Sequence, residues 1–482
     1  MYACRVRALL VSSALLLLAF AACGDTGPSR DSIATVDVAH PGTTLPEDFL
    51  GLSFEASVLG SARWAPSGSN LPALLANLGI GHLRFGGSSL DRRVRPVPDG
   101  DLQRLGSLTA ATGWWVDLGL TLGRFDASAA ATEAAAAARL IGPGLGTVAI
   151  GNEPDLFAAD RTLRPNGYDY GDYRKDVVAY RAALVATAPA VRLSGPDTAG
   201  LDWLPAYARD HPAELSFLTQ HFYPLTRCGG GRPTIADLFS AATKRRQLAT
   251  IDATIAAAHA AALPVRLNEV NSASCGGQDG VSNSLASALW IADFLLTAGE
   301  RGVAGVDLHG GLAACRGYTP LCAPGAAGSV AAAQPGIDPV ADASLGAAGG
   351  EGPLAAQPDF YGLLLVHQLK GGRWLRVTST RPSPLSEFAV VMPDGSIRVV
   401  LVNPAPTRAG VVIRAGGHRA VSRVLRLTGP SLSATSGVRL GGSAVAPDGT
   451  WKPRSERNHT ATAAETRVDI PAASAAVVTL SR

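Results

Sequence analysis

Thr147-Val148-Ala149-Ile150-Gly151-Asn152-Glu153-Pro154-Asp155 is an apolar run that halts at a glycine and delivers a carboxylate into a proline turn. A short run of this kind, bounded by turn signals, reads as a strand covered on both faces. Seven more runs of similar character flank it: Leu50–Phe54, His82–Gly86, Trp115–Leu120, Val191–Gly195, Phe217–Phe222, Val265–Val270 and Val303–His309. Helical patterns lie between them. Asp126 is placed to cap Ala127–Leu140, while Asp172–Ala186 and Ala236–Ala261 have helical length and few breakers. In Ser282–Ala298 the apolar Leu285, Leu289, Ala292 and Leu296 form a stripe that can pack on a barrel wall. Strands alternating with helices predict an α/β fold, a (β/α)8 TIM barrel over residues 47–370, with its reactive groups where the strands end at the C-terminal face.

Further along, the character changes. Ala323–Gly352 is rich in Ala, Gly, Pro and Ser and reads as a mobile excursion after the eighth strand. Beyond about Gly372 come short β-rich runs, among them Phe388–Met392, Ile397–Val402, Val411–Ile413 and Ala475–Leu480, which predict a C-terminal β-sandwich domain. Ile33–Val38 precedes the first barrel strand and is expected to add an edge to that sandwich, so residues 31–46 and 371–482 together make the second domain.

A chain of 482 residues exceeds what one core usually serves, in keeping with two domains. Hydrophobic residues at 47% against 17% charged exclude disorder as the main state. A formal charge of +3, with no basic block longer than Lys244-Arg245-Arg246, argues against a nucleic-acid partner. The membrane-suited run stands at the start: Arg5 and Arg7 precede apolar residues from about Ala8 to Ala22, too short for a comfortable span and typical of a secretory signal peptide over 1–22. Its end, Leu18-Ala19-Phe20-Ala21-Ala22-Cys23-Gly24, resembles a bacterial lipoprotein processing site, with Cys23 as the lipidated residue. Phe20 departs from the aliphatic residue preferred there, so plain secretion stays open. Either route leads to secretion or the cell envelope, the first without and the second with membrane anchoring through Cys23.

Cys228, Cys275, Cys315 and Cys322 then remain in an oxidising compartment and allow three pairings. Cys315 with Cys322 is favoured by the short Gly/Pro-containing segment between them, and Cys228 with Cys275 follows by elimination. No Cys-x-x-Cys or His/Cys cluster points to a metal, and no cofactor is expected.

The seventh run ends Val265-Arg266-Leu267-Asn268-Glu269-Val270, a second glutamate at a strand terminus. Two carboxyl groups converging across a barrel mouth are the minimum equipment for glycoside cleavage, and strands four and seven suit the short spacing, about 5 to 5.5 Å, of retaining enzymes. Glu153 is then the acid/base, needing a raised pKa, and Glu269 the ionised nucleophile. Asn152 is placed to hydrogen-bond the sugar hydroxyl beside the reacting carbon. His221 and His309, at strand ends, are candidates to orient a glutamate, and Arg84 to pair with the nucleophile.

Together with Phe49–Glu55, Leu83-Arg84-Phe85-Gly86-Gly87-Ser88, Gly151–Asp155, Asn271–Trp290, Gly305–Gly311 and Pro358–Leu363, these residues resemble glycoside hydrolase family 79, the β-glucuronidase and heparanase-like enzymes. The resemblance implies a barrel joined to a β-sandwich built from both termini, Glu153 as acid/base, Glu269 as nucleophile, no metal, and a β-linked glucuronic acid as the carbohydrate substrate. Tyr223 and Tyr318 are the candidates to hold the uronate carboxylate. The lack of basic clusters departs from members that cleave long sulfated chains, and favours small or neutral aglycones. Two rival readings stand beside this one: a barrel glycosidase of the same mechanism for neutral β-linked sugars, and a surface carbohydrate-binding lipoprotein without turnover.

Overall fold

The computed structural model describes residues 31–159, 163–164, 167–210, 213–312, 314–324, 352–380, 385–417, 420–454 and 465–481. The expected signal peptide, Cys23, and residues 325–351 of the expected excursion lie outside the described residues.

Strand β1 (Ser32–Val36) stands apart from the barrel, whose strands are β2 (Leu50–Glu55), β3 (His82–Gly86), β4 (Trp115–Leu120), β5 (Leu145–Ile150), β6 (Leu193–Gly195), β7 (Leu215–Phe222), β9 (Val265–Val270) and β11 (Gly305–His309). They close into one sheet in the order β11-β2-β3-β4-β5-β6-β7-β9, with parallel pairing. Two short strands beyond the mouth, β8 (Leu225–Thr226) and β10 (Ala273–Ser274), also pair in parallel. Closure explains the missing polar alternation: outward side chains meet helices and inward ones fill the lumen. The lumen is partly ionic. His82, Arg266 and Asp307 are buried there, with His82 Nδ1 2.6 Å and Arg266 Nη2 2.9 Å from the two Asp307 oxygens. Gly51 makes that cluster possible, because a Cβ on it would come 1.9 Å from Asp307 Oδ1.

Of three expected helices, one forms as expected and two differ. Asp126 does cap Ala127–Ile141, accepting from the Ala129 N–H at 2.9 Å. The Ala236–Ala261 run, however, breaks into Ile235–Leu238 and Ala241–Ala261, because the Ser240 side chain accepts the Thr243 N–H and starts a new helix. Leu285–Glu300 is buried nearly all round rather than along one stripe. Its far side is covered too: the Leu285 and Ala286 N–H groups donate to the Ala434 and Leu432 carbonyls, and helix Pro358–His367 packs so closely that a Cβ on Gly362 would meet the Ala288 carbonyl at 2.7 Å. Among the described residues no helix is long and apolar enough to cross a membrane.

After the antiparallel pair β12 (Leu321–Cys322) and β13 (Ala355–Ala356), the chain builds two further sheets. One has the order β14 (Arg373–Leu375), β16 (Ser386–Val391), β17 (Ile397–Asn403), β22 (Ser474–Ser481), β19 (Ala420–Thr428), β20 (Arg439–Leu440). The other runs β15 (Val377–Ser379), β1, β18 (Ala409–Arg414), β21 (Thr466–Ile470). Their inner faces share an apolar core that includes Ala34, Val36, Val399, Ile413, Val468 and Val478. The expectation that the early strand forms an edge is corrected: β1 lies inside its sheet, antiparallel to β15 and parallel to β18.

Candidate active site

Regular strand geometry alone would not bring both glutamates into one cavity. β5 ends at Ile150, and Glu153 adopts a left-handed conformation (φ 47°) that few non-glycine residues take. That turn is held by its backbone N–H, which donates to the Asp197 carbonyl at 2.8 Å. On β9, Arg266 and Asn268 lie on one face, so strict alternation would send Glu269 to the other. The pairing slips instead, from Arg266 opposite Thr219 to Glu269 opposite His221, and a matching slip occurs against β11. This bulge turns Glu269 inward beside Asn268.

The two carboxylates and His221 each present an atom within 4.8 Å of the others. Oε1 of Glu153 lies 3.0 Å from His221 Nδ1, and Oε1 of Glu269 accepts from the Tyr223 hydroxyl at 2.9 Å. Oε2 of Glu269 accepts from Nη1 of Arg84, and lies 3.8 Å from both His221 Nδ1 and His309 Nδ1. Both terminal nitrogens of Arg84 are engaged. Its Nη2 faces Asn152 Oδ1 at 2.6 Å, Asp197 Oδ2 at 2.8 Å and His221 Nε2 at 3.3 Å, and its Nη1 also reaches Ser53 Oγ at 3.2 Å. A Cβ on Gly86 would sit 2.3 Å from the Arg84 Cζ, so the Gly86-Gly87 pair leaves room for the guanidinium.

The environments of the two acids are opposed. Burial pushes the Glu153 carboxyl upward, with help from the charges of Glu269 and Asp155 and partial opposition from the His221 hydrogen bond. Burial would also raise Glu269, but the His309, His221 and Arg84 side chains outweigh it and hold this carboxyl well below the ordinary glutamate range. Glu153 is biased toward its protonated form and Glu269 toward its ionised form, a division of labour suited to acid/base and nucleophilic chemistry. Glu153, His221 and Glu269 carry a donor set that can ligate a cation, yet the Arg84 guanidinium already occupies Glu269, and a second cation there meets direct repulsion.

The remaining predicted residues fall around this pair. Asn152 turns its Oδ1 to Arg84 and to the Gly87 N–H at 2.9 Å, which leaves its Nδ2 for the cavity. Tyr223 donates its hydroxyl to Glu269. Tyr318 is 1% exposed, with its ring 5.7 Å from Tyr223 and edge-on to His309 at 5.8 Å. His309 Nδ1 lies 3.0 Å from Ser53 Oγ. The disulfides join Cys228 to Cys275 and Cys315 to Cys322, so both staple loops of the barrel mouth.

Three carboxylates at the mouth went unassigned from the sequence. Asp197 follows the fifth barrel strand in Ser194-Gly195-Pro196-Asp197, a strand-end placement like that of Glu153. Glu55 ends the first strand and accepts from the N–H and hydroxyl of both Ser88 and Ser89. Asp91 accepts the backbone N–H groups of Leu122, Gly123 and Asn152, tying three loops together. The rule that singled out Glu153 reaches the first two; Asp91 lies in a loop with no pattern to announce it.

No protein-family model and no curated protein sequence matches this chain. Solved structures do share its fold. A 4-O-α-L-rhamnosyl-β-D-glucuronidase from Fusarium oxysporum 12S, determined as a Rha-GlcA complex, superposes with a TM-score of 0.72 at 17% identity, over 92% of this chain and 100% of that one. A family 51 arabinofuranosidase from Xanthomonas axonopodis pv. citri gives 0.67 at 13% identity, over 94% and 100%. A family 39 enzyme from the same organism gives 0.58 at 15%, over 93% and 97%. All three are similar to this chain in the barrel and the appended β-structure.

Proposed function

We propose that this protein is a retaining glycoside hydrolase that removes β-linked glucuronic acid, as its resemblance to family 79 implies. The observation that carries the reading is the approach of Glu153 and Glu269 to within 4.8 Å, with their ionisation pushed in opposite directions. In the first step Glu153 gives its proton to the glycosidic oxygen while a Glu269 oxygen attacks the anomeric carbon; the bond to the aglycone breaks and a glycosyl ester forms. In the second, Glu153 takes a proton from water, the water oxygen attacks the same carbon, and Glu269 leaves as carboxylate. Two inversions restore the starting configuration.

The glucuronide assignment draws on the glucuronidase among the similar structures and on the wall near Tyr318. There Cys275, Gly276 and Gly277 are successive residues with positive φ (61°, 83° and 73°), and the two glycines offer backbone amides to a carboxylate without an intervening side chain. A neutral sugar is the second reading, favoured by the engagement of both terminal nitrogens of Arg84 with protein groups. A panel of aryl glycosides separates them: turnover of the glucuronide above the glucoside, xyloside and galactoside is expected, and turnover of a neutral sugar alone discards the uronate. Glu269→Gln and Glu153→Gln are expected to lose hydrolysis, and NMR of the first-formed sugar is expected to show the β anomer. Equal activity in all three proteins, or an initial α anomer, contradicts the mechanism.

In this reading the enzyme works at the cell envelope, anchored through lipidated Cys23. Detergent phase partitioning that Cys23→Ala leaves unchanged would overturn the anchor.

A further inference from the structure

The group that links the two glutamates touches neither of their side chains. Asp197 sits just beyond the three-residue strand β6, 1% exposed, in a left-handed conformation (φ 55°). Its backbone carbonyl receives the Glu153 N–H at 2.8 Å and so braces the unusual turn that aims Glu153. Its Oδ2 holds Arg84 Nη2 at 2.8 Å, while the other arm of the same guanidinium holds Glu269. Its Oδ1 is fixed from behind by Thr219 Oγ1 at 2.5 Å and Asn268 Nδ2 at 2.8 Å, and Asn268 is the residue next to Glu269 on the bulged strand. We infer that Asp197 is a positioning residue for the proposed reaction: it shares the Arg84 cation with Glu269 and fixes the turn of Glu153, so that one carboxylate sets the geometry of both catalytic ones.

The physical need for it is specific. A guanidinium buried against a single carboxylate would hold that carboxylate as a closed ion pair and blunt its attack on carbon. With Asp197 on the second arm, one positive charge is divided between two anions, and the fork is held at a fixed angle. Asn in place of Asp keeps the volume but removes the charge. It also presents either an oxygen to Arg84 and an N–H to the Asn268 amide, or the reverse, and neither satisfies every partner.

The role rests on the proposed glycosidase activity, and the test separates the two. The probe is 2-deoxy-2-fluoro-β-D-glucuronosyl fluoride, replaced by its gluco analogue if the aryl-glycoside panel selects the neutral sugar. The adduct is followed by intact mass. The unmodified protein is expected to reach one label per chain, on Glu269. Asp197→Asn is expected to reach the same endpoint, with labelling and kcat slowed about 30-fold to 100-fold and KM changed less than about threefold, the pattern of a misplaced reacting group with intact ground-state binding. A variant that merely lost folded molecules would label to a lower endpoint at an unchanged rate. That result, or an unchanged rate at full endpoint, overturns the inference and leaves the glycosidase reading standing. Failure of the unmodified protein to label, without turnover of any glycoside, overturns both. If Asp197→Asn does not fold, Thr219→Val removes only the hydroxyl behind Oδ1 and is expected to slow labelling about threefold to tenfold; a rate equal to that of the unmodified protein then overturns the inference.

Discussion

His221 hydrogen-bonds to Glu153 through Nδ1 at 3.0 Å while its Nε2 meets Arg84 Nη2 at 3.3 Å. Burial pushes the His221 imidazole down, but the Glu269 charge and the Glu153 hydrogen bond outweigh it and raise the ring above its ordinary value, so Nδ1 carries a proton and donates it to Oε1 of Glu153. With that oxygen engaged, the acid proton of Glu153 belongs on Oε2. His221 thus orients the acid.

His221→Ala removes this orientation and should act on leaving-group protonation. For a methyl or alkyl glycoside, kcat/KM is expected to fall about 10²-fold, whereas a dinitrophenyl glycoside, which departs without acid assistance, should lose less than about tenfold. Steady-state kinetics on the two substrates decides it, and equal losses would speak against an orienting role.

Arg84→Met removes the guanidinium and leaves the buried Glu269 and Asp197 without the cation they share. Breaking a buried pair in this way costs about 3 to 5 kcal/mol. Chemical denaturation should show a loss of that order, together with a fall in kcat at least as large as that of any substrate-contact variant. Stability unchanged from the parent would show that the buried charges find other partners.

The opposed pKa shifts fix the sign of the pH dependence. The active form has Glu269 ionised and Glu153 protonated. As pH falls through the lowered pKa of Glu269 the nucleophile is lost; as pH rises through the raised pKa of Glu153 the acid is lost. A bell in kcat/KM is expected, its alkaline limb belonging to Glu153. In Glu153→Ala, assayed with a dinitrophenyl glycoside, that limb should vanish while the acidic limb remains. Survival of the alkaline limb assigns the acid elsewhere.

Both disulfides staple mouth loops, but they close segments of different length, with sequence separations of 47 and 7. By chain entropy they contribute about 4 and about 2.5 kcal/mol respectively. Cys228→Ser with Cys275→Ser should therefore lower the Tm further than Cys315→Ser with Cys322→Ser. The first pair should also lower activity, because it ties the loop after Tyr223 to the loop after Glu269. Calorimetry and aryl-glycoside assays on both double variants test the order, and a reversed ranking would count against the entropic account.

Strand positions were legible because a parallel barrel buries each strand on both faces, and the resulting apolar runs, from Leu50–Phe54 to Val303–His309, stand out without any partner in view. The candidacy of the glutamates was legible for a related reason: a carboxylate at the C-terminal end of an apolar barrel run lies at the mouth, whichever way it is then turned. The sequence by itself determined the barrel, the appended β-structure, and Glu153 and Glu269 as the residues to watch. Tertiary structure alone decided the bulge that turns Glu269 inward, the left-handed turn of Glu153, the sharing of Arg84 with Asp197, the interior place of β1, and the all-round burial of Leu285–Glu300. Each of these depends on atoms far apart along the chain. Local periodicity records which side of a strand or helix is apolar, whereas register slips, shared ion pairs and a second covering layer exist only once distant segments are packed together.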